Sequence, residues 1–135
     1  NVHESPNSFR WKCGAGGADS AVLEPGMVTS DEPGVYLAGQ YGIRTENLLL
    51  CRKAEENEYG QFLEFEFLTL VPIDLEGIDW TEMEKKDIER LNRYHQKVYE
   101  TLAPCFSGEE LAWLAEATKP FCPEKEKRDG RENYR

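Results

Sequence analysis

Met27-Val28-Thr29-Ser30-Asp31-Glu32-Pro33-Gly34-Val35-Tyr36 and, six residues on, Gly42-Ile43-Arg44-Thr45-Glu46-Asn47 decide how this chain is read. Met27 to Ser30 is apolar and β-branched enough for a short strand, and Asp31-Glu32-Pro33-Gly34 ends it. Residues 33–42 hold Pro33, Gly34, Gly39 and Gly42, which predicts a connection. Ile43 to Lys53 reads as a second strand, residues 54–60 as a polar turn, and Gln61 to Val71 as a third strand. In the third, Leu63, Phe65 and Phe67 alternate with Glu64 and Glu66. The pattern predicts a three-stranded antiparallel sheet over residues 27–71.

An antiparallel pairing of the first two strands centred on Gly39 sets Glu32 opposite Glu46, with both side chains on one face. Like charges placed opposite each other repel unless something neutralises them. A divalent cation would do so, and carboxylates suit hard or borderline ions. Two readings stand at this point: a pair of metal ligands, or two solvated acids in a chain that has 26. Two carboxylates do not close a metal site, and His3 is the only other good donor near these strands in sequence.

Helices follow the strands. Thr81 and Glu84 have capping-box spacing, and behind them Ile88, Leu91, His95, Val98 and Leu102 recur at helical spacing. His95 on that face reads as a core histidine rather than a ligand. Ser107 and Glu110 repeat the capping-box spacing before a shorter helix with Leu111 and Leu114 inward, ending near Thr118. The fold class is therefore α+β, with two helices over residues 82–118 after the strands. Residues 1–26 read as a loop-rich lead-in. Residues 119–135, with six basic and four acidic residues, read as a mobile charged tail.

With 135 residues the chain is the size of one domain, and 39% hydrophobic residues suffice for a core. The net charge of −10 disfavours sequence-independent binding to nucleic acid. The longest purely apolar run, Leu48 to Cys51, is far shorter than the roughly 20 residues that span a bilayer. Cys13, Cys51, Cys105 and Cys122 are widely spaced, with no close pair of the zinc type. Reduced thiols and a cytoplasmic setting are the favoured reading, against a disulfide framework. The start at Asn1 has no Met, basic segment or apolar leader, and reads as the abrupt beginning of a piece cut from a longer chain.

The two opening stretches together resemble the end of the metal site in Xaa-Pro aminopeptidases, the aminopeptidase P branch of the pita-bread metallopeptidases. Asn1-Val2-His3-Glu4 is similar to the segment after that family's metal-binding histidine, although Ser5 departs from its pattern. Phe67-Leu68-Thr69-Leu70-Val71-Pro72-Ile73-Asp74, Trp80 and Leu91-Asn92-Arg93-Tyr94-His95 resemble the C-terminal extension of the larger, cytosolic-type members. The resemblance runs over residues 1–118 and implies a partial pita-bread fold. It also implies two divalent ions, usually Mn²⁺, that serve removal of the first residue from peptides with proline in second position.

By this resemblance Glu32 matches a metal ligand that is also the acid/base group, and Glu46 a ligand bridging both metals. His3 matches a non-ligand histidine that holds substrate and transition state, Arg44 an arginine that orients or charge-balances the site, and Tyr36 a residue of the substrate pocket or a packing aromatic. The family's two aspartates and ligand histidine have no counterpart here, since Asp19 and Asp31 do not stand in matching positions. The implied expectation is a fragment inactive by itself, self-associating or homodimeric. A non-catalytic pita-bread module that binds peptides or protein partners is the alternative, and a free-standing structural fragment is a third.

Overall fold

The computed structural model describes residues 21–122. It divides into two compact units, Asn1–Thr69 and Leu70–Arg135. The first unit carries the strands. β1 (Val28–Asp31), β4 (Asn47–Asn57) and β5 (Gly60–Phe67) form one antiparallel sheet in the order β1-β4-β5. β2 (Gly34–Leu37) and β3 (Tyr41–Arg44) form a separate two-stranded hairpin.

The stretch 33–42, expected to be a connection, is thus largely that hairpin, and the expected strand 43–53 is split between β3 and β4. The glycines that suggested a loop have another cause. A Cβ on Gly34 would come within 2.7 Å of the Tyr36 hydroxyl oxygen, and one on Gly42 within 2.6 Å of Tyr36 Cδ1. The tyrosine ring lies across both backbones, so only glycine fits beneath it. Gly39 turns the hairpin with a φ of 72°, the left-handed region that glycine enters at no steric cost.

The ladders keep the register centred on Gly39. Val28 pairs Leu50 and Asp31 pairs Asn47 in β1–β4, while Gly34 pairs Arg44 and Tyr36 pairs Gly42 in β2–β3. Between the two ladders the strand pairing lapses, apart from a 3.3 Å bond from the Thr45 amide to the Pro33 carbonyl. Glu32 and Glu46 stand at that gap. Thr29, Leu49 and Cys51 take the buried face of the sheet, as strand alternation requires.

β4 is longer than its apolar pattern indicated because a bulge carries it onward. The β4–β5 register shifts between Lys53 and Glu56. The Gln61 side-chain Nε2 donates to the Ala54 and Glu55 carbonyls at 3.0 and 3.1 Å, which satisfies groups the bulge frees from the ladder. The turn is only Glu58-Tyr59, and β5 stops at Phe67 rather than Val71.

The second unit is built on two helices, α1 (Lys85–Leu102) and α2 (Gly108–Ala117), and its core is Tyr94, Val98 and Leu114. Leu70, Ile73, Leu102 and Ala103 pack against that core. α1 begins later than the Thr81 signal suggested. Asp79 instead accepts from the Thr81 amide and hydroxyl, holding a 3₁₀ turn over Trp80–Glu82. The α1 cap is the Glu84/Asp87 pair, with Asp87 accepting from the Glu84 amide at 3.3 Å. Ser107 holds the N-cap position of α2 without a side-chain cap bond, so the Ser107–Glu110 capping box is not formed.

The start of the expected tail is anchored. Phe121 is buried, its amide donates to Asn92 Oδ1 at 2.7 Å, and its carbonyl accepts from Asn92 Nδ2 at 3.1 Å. The rest of the expected tail, from residue 123, and the lead-in to residue 20 lie outside the described residues.

Candidate metal and catalytic site

Arg44 is the centre of the candidate site. Its Nη1 donates to Glu32 Oε2 at 2.9 Å, and its Nε lies 3.5 Å from Glu46 Oε2. One guanidinium therefore sits between the two carboxylates that the strand register sets opposite each other. Arginine suits this, because one rigid guanidinium hydrogen-bonds Glu32 and still lies within ion-pair distance of Glu46. The repulsion that suggested a cation from sequence is met here by a side chain of the same hairpin. Ser30 completes the arrangement, its hydroxyl donating to Glu32 Oε1 at 2.8 Å.

β1 positions Ser30, the end of β3 positions Arg44, and the gap between the ladders positions Glu32 and Glu46. Tyr36 lies on the hairpin over Gly34 and Gly42, and the residue is 65% exposed, so it is available to line a pocket. The structure thus brings Glu32, Arg44 and Glu46 together, with Tyr36 on the neighbouring ladder. His3 lies outside the described residues.

His95 is fully buried in α1. Its Nε2 accepts from the Ile73 amide at 3.0 Å, and Nδ1 has no partner. Burial pushes its pKa below the ordinary histidine value, and accepting from Ile73 requires the neutral ring. His95 is a core histidine, as its place on the helix face suggested. Next to it, Tyr94 donates to the Val71 carbonyl at 2.9 Å, so adjacent helix residues hold the strap that carries Val71 and Ile73.

The donor chemistry fits part of a divalent metal site. Glu32 and Glu46 offer oxygen donors, the type that hard and borderline ions take. Among the described residues no group of three or more His, Cys, Asp and Glu side chains is placed to hold an ion. No helix among the described residues is long and apolar enough to cross a membrane.

Two family models match in succession. Residues 1–53 match metallopeptidase family M24, and residues 61–121 match the C-terminal region of peptidase M24. The chain belongs to metallopeptidase family M24 and has part of its pita-bread fold.

It is similar to aminopeptidase P1 of Arabidopsis thaliana, at 38% identity over 88% of this chain and 18% of the relative. It is 35% identical to Xaa-Pro aminopeptidase 2 of Rattus norvegicus, over 89% of this chain and 17% of the relative. Among solved structures it is similar to the X-prolyl aminopeptidase of Caenorhabditis elegans, described as a cytosolic enzyme with a di-nuclear active site. That match has a TM-score of 0.63 and 38% identity, covering 73% of this chain and 17% of the other. The chain spans less than a fifth of the length of these relatives.

Proposed function

We propose that this chain supplies two carboxylates to the site of a two-metal aminopeptidase that removes the N-terminal residue from peptides with proline in second position. The observation that carries the reading is Arg44 standing between Glu32 and Glu46 at the ladder gap, inside the stretch that matches the family. Glu32 and Glu46 would hold the divalent ions, with Mn²⁺ the proposed metal. When bound, such ions supply an activated water and polarise the scissile carbonyl.

The chain's own residues have separate tasks. Glu32 accepts the proton of the attacking water and returns it to the leaving prolyl nitrogen, so that peptide and water become a free amino acid and a shortened peptide. Arg44 balances the two carboxylates and fixes their spacing. His3 donates to the carbonyl oxygen as negative charge grows there. Tyr36 lines the substrate pocket above Gly34 and Gly42.

With two ligands supplied, the 135 residues alone are proposed to be inactive. We place the protein in the cytoplasm, in keeping with the description of the C. elegans enzyme. Copies of the chain are proposed to self-associate or form a homodimer, which the exposed apolar side chains of β2 and β3 support.

The test is Glu32→Gln in a chain of the relatives' full length, assayed on a Xaa-Pro peptide with Mn²⁺ titrated by calorimetry. The expected result is loss of hydrolysis by about a thousandfold or more, as for removal of a central catalytic group. Hydrolysis within threefold of the parent would overturn the reading.

A further inference from the structure

The two carboxylates of the site are held unequally. Glu46 has one partner among the described contacts, Arg44 Nε at 3.5 Å. Glu32 is held from both sides: Arg44 Nη1 takes Oε2 at 2.9 Å, and the Ser30 hydroxyl takes Oε1 at 2.8 Å. Arg44 is shared between the two acids, whereas Ser30 serves Glu32 alone. Ser30 lies in β1 and precedes Glu32, just past the strand's end, by two residues, and the bond between their side chains shows that they meet.

We infer that Ser30 is a positioning residue for Glu32, fixing the rotamer in which its carboxylate faces metal and substrate. The inference rests on the proposed role of Glu32. Glu32 lies where ladder pairing lapses, so the backbone register does not by itself hold its long side chain. A carboxylate has two oxygens that exchange places by rotation about one soft torsion. The Ser30 hydrogen bond distinguishes them: it ties Oε1 back toward β1 and leaves Arg44 the other oxygen. Each oxygen keeps a further lone pair, so neither bond removes the capacity to bind an ion or receive a proton. Serine suits the task because its one short χ lets the hydroxyl reach the carboxylate two residues on. It is also neutral, and so does not add to the charge balance that Arg44 sets.

The experiment compares Ser30→Ala, Ser30→Thr and Glu32→Gln in a chain of the relatives' full length. The readouts are kcat and KM on a Xaa-Pro peptide, Mn²⁺ affinity by calorimetry, and the melting temperature of the metal-free protein. Removing an outer partner of a ligand typically costs about 10- to 100-fold in affinity or activity. Ser30→Ala is expected to lower kcat or Mn²⁺ affinity by that amount, with KM within about threefold and metal-free melting unchanged. Ser30→Thr, which keeps the hydroxyl on a strand-compatible side chain, is expected to restore most of the loss. Three outcomes overturn the inference. In one, Ser30→Ala stays within twofold of the parent while Glu32→Gln is inactive, which leaves the role of Glu32 standing. In another, Ser30→Thr is as impaired as Ser30→Ala, which makes the effect one of packing. In the third, Glu32→Gln remains active, and the functional reading falls together with this inference.

Discussion

The strand unit and the helical unit keep their apolar residues in opposite ways. In the helical unit Tyr94, Val98 and Leu114 make a closed core, and Leu114 and Val98 are fully buried. In the hairpin of the strand unit, Val35, Tyr36, Leu37, Tyr41 and Ile43 are all exposed. A two-stranded hairpin is marginal in water, and among the described residues no buried face on it compensates. The hairpin is fixed by local means: Gly39 in its turn, the Tyr36 ring over two glycines, and the bridge from Arg44 to two acids. The helices are fixed by packing. The candidate site therefore lies on the part of the strand unit that is organised by local polar and steric constraints, and substitutions in the two regions should differ sharply in cost.

The largest stability effect is expected at Leu114. Truncating a fully buried leucine to alanine removes the transfer gain and leaves a cavity, at a cost of about 2–5 kcal/mol. Leu114→Ala should lower the urea midpoint accordingly, with the slope unchanged. A loss below about 1 kcal/mol would mean that the core between α1 and α2 is loose, and the contrast with the hairpin would disappear.

Next comes a pH dependence centred on His95. Burial lowers its pKa in the folded chain below the ordinary value of 6.5. Above that value both folded and unfolded chains carry a neutral imidazole, and the contribution to stability is complete. As pH falls, the unfolded chain binds a proton first, so stability declines until the pH passes the lowered folded value. Protonation also removes the lone pair that accepts from the Ile73 amide. Denaturation of the parent and of His95→Gln should therefore diverge as pH falls below the ordinary value, the variant having the flatter profile. His3→Gln is the control for the chain's other histidine. Parallel profiles for parent and His95→Gln would contradict the buried, neutral assignment.

These contrasts also explain what could be read from sequence. The Gly39-centred register was legible because spacing and alternation are properties of the backbone alone. The hairpin itself was not. Gly34 and Gly42 look like loop residues, and their cause is the space taken by the Tyr36 ring two residues away and across the ladder. α1 starts later than the Thr81 spacing suggests because Asp79 takes the Thr81 amide and hydroxyl into a 3₁₀ turn and Glu84 with Asp87 caps the helix instead. Phe121 looked like part of a tail because its partner, Asn92, is 29 residues distant. At the site, the facing acids followed from register, but the Ser30 bond to Glu32 had no signal beyond an i, i+2 spacing that many strand residues share.

The smallest stability effect is expected at Ile43, and it tests the comparison from the hairpin side. Ile43 pairs with Val35 in the β2–β3 ladder, and it is 62% exposed. Threonine keeps the β-branched shape that suits a strand and removes apolar surface. If the hairpin is uncovered in the folded chain, Ile43→Thr should change stability by no more than about 0.5 kcal/mol. The same change subtracts an exposed apolar side chain from the face proposed to meet a second copy. Sedimentation should then show self-association moving to higher protein concentration while the urea midpoint stays fixed. A stability loss above about 1 kcal/mol would show that Ile43 is covered within the monomer, since exposed positions do not carry that cost. Unchanged sedimentation with an unchanged midpoint would remove this face from self-association and leave the hairpin as a strand pair held by its own glycines and ion bridge.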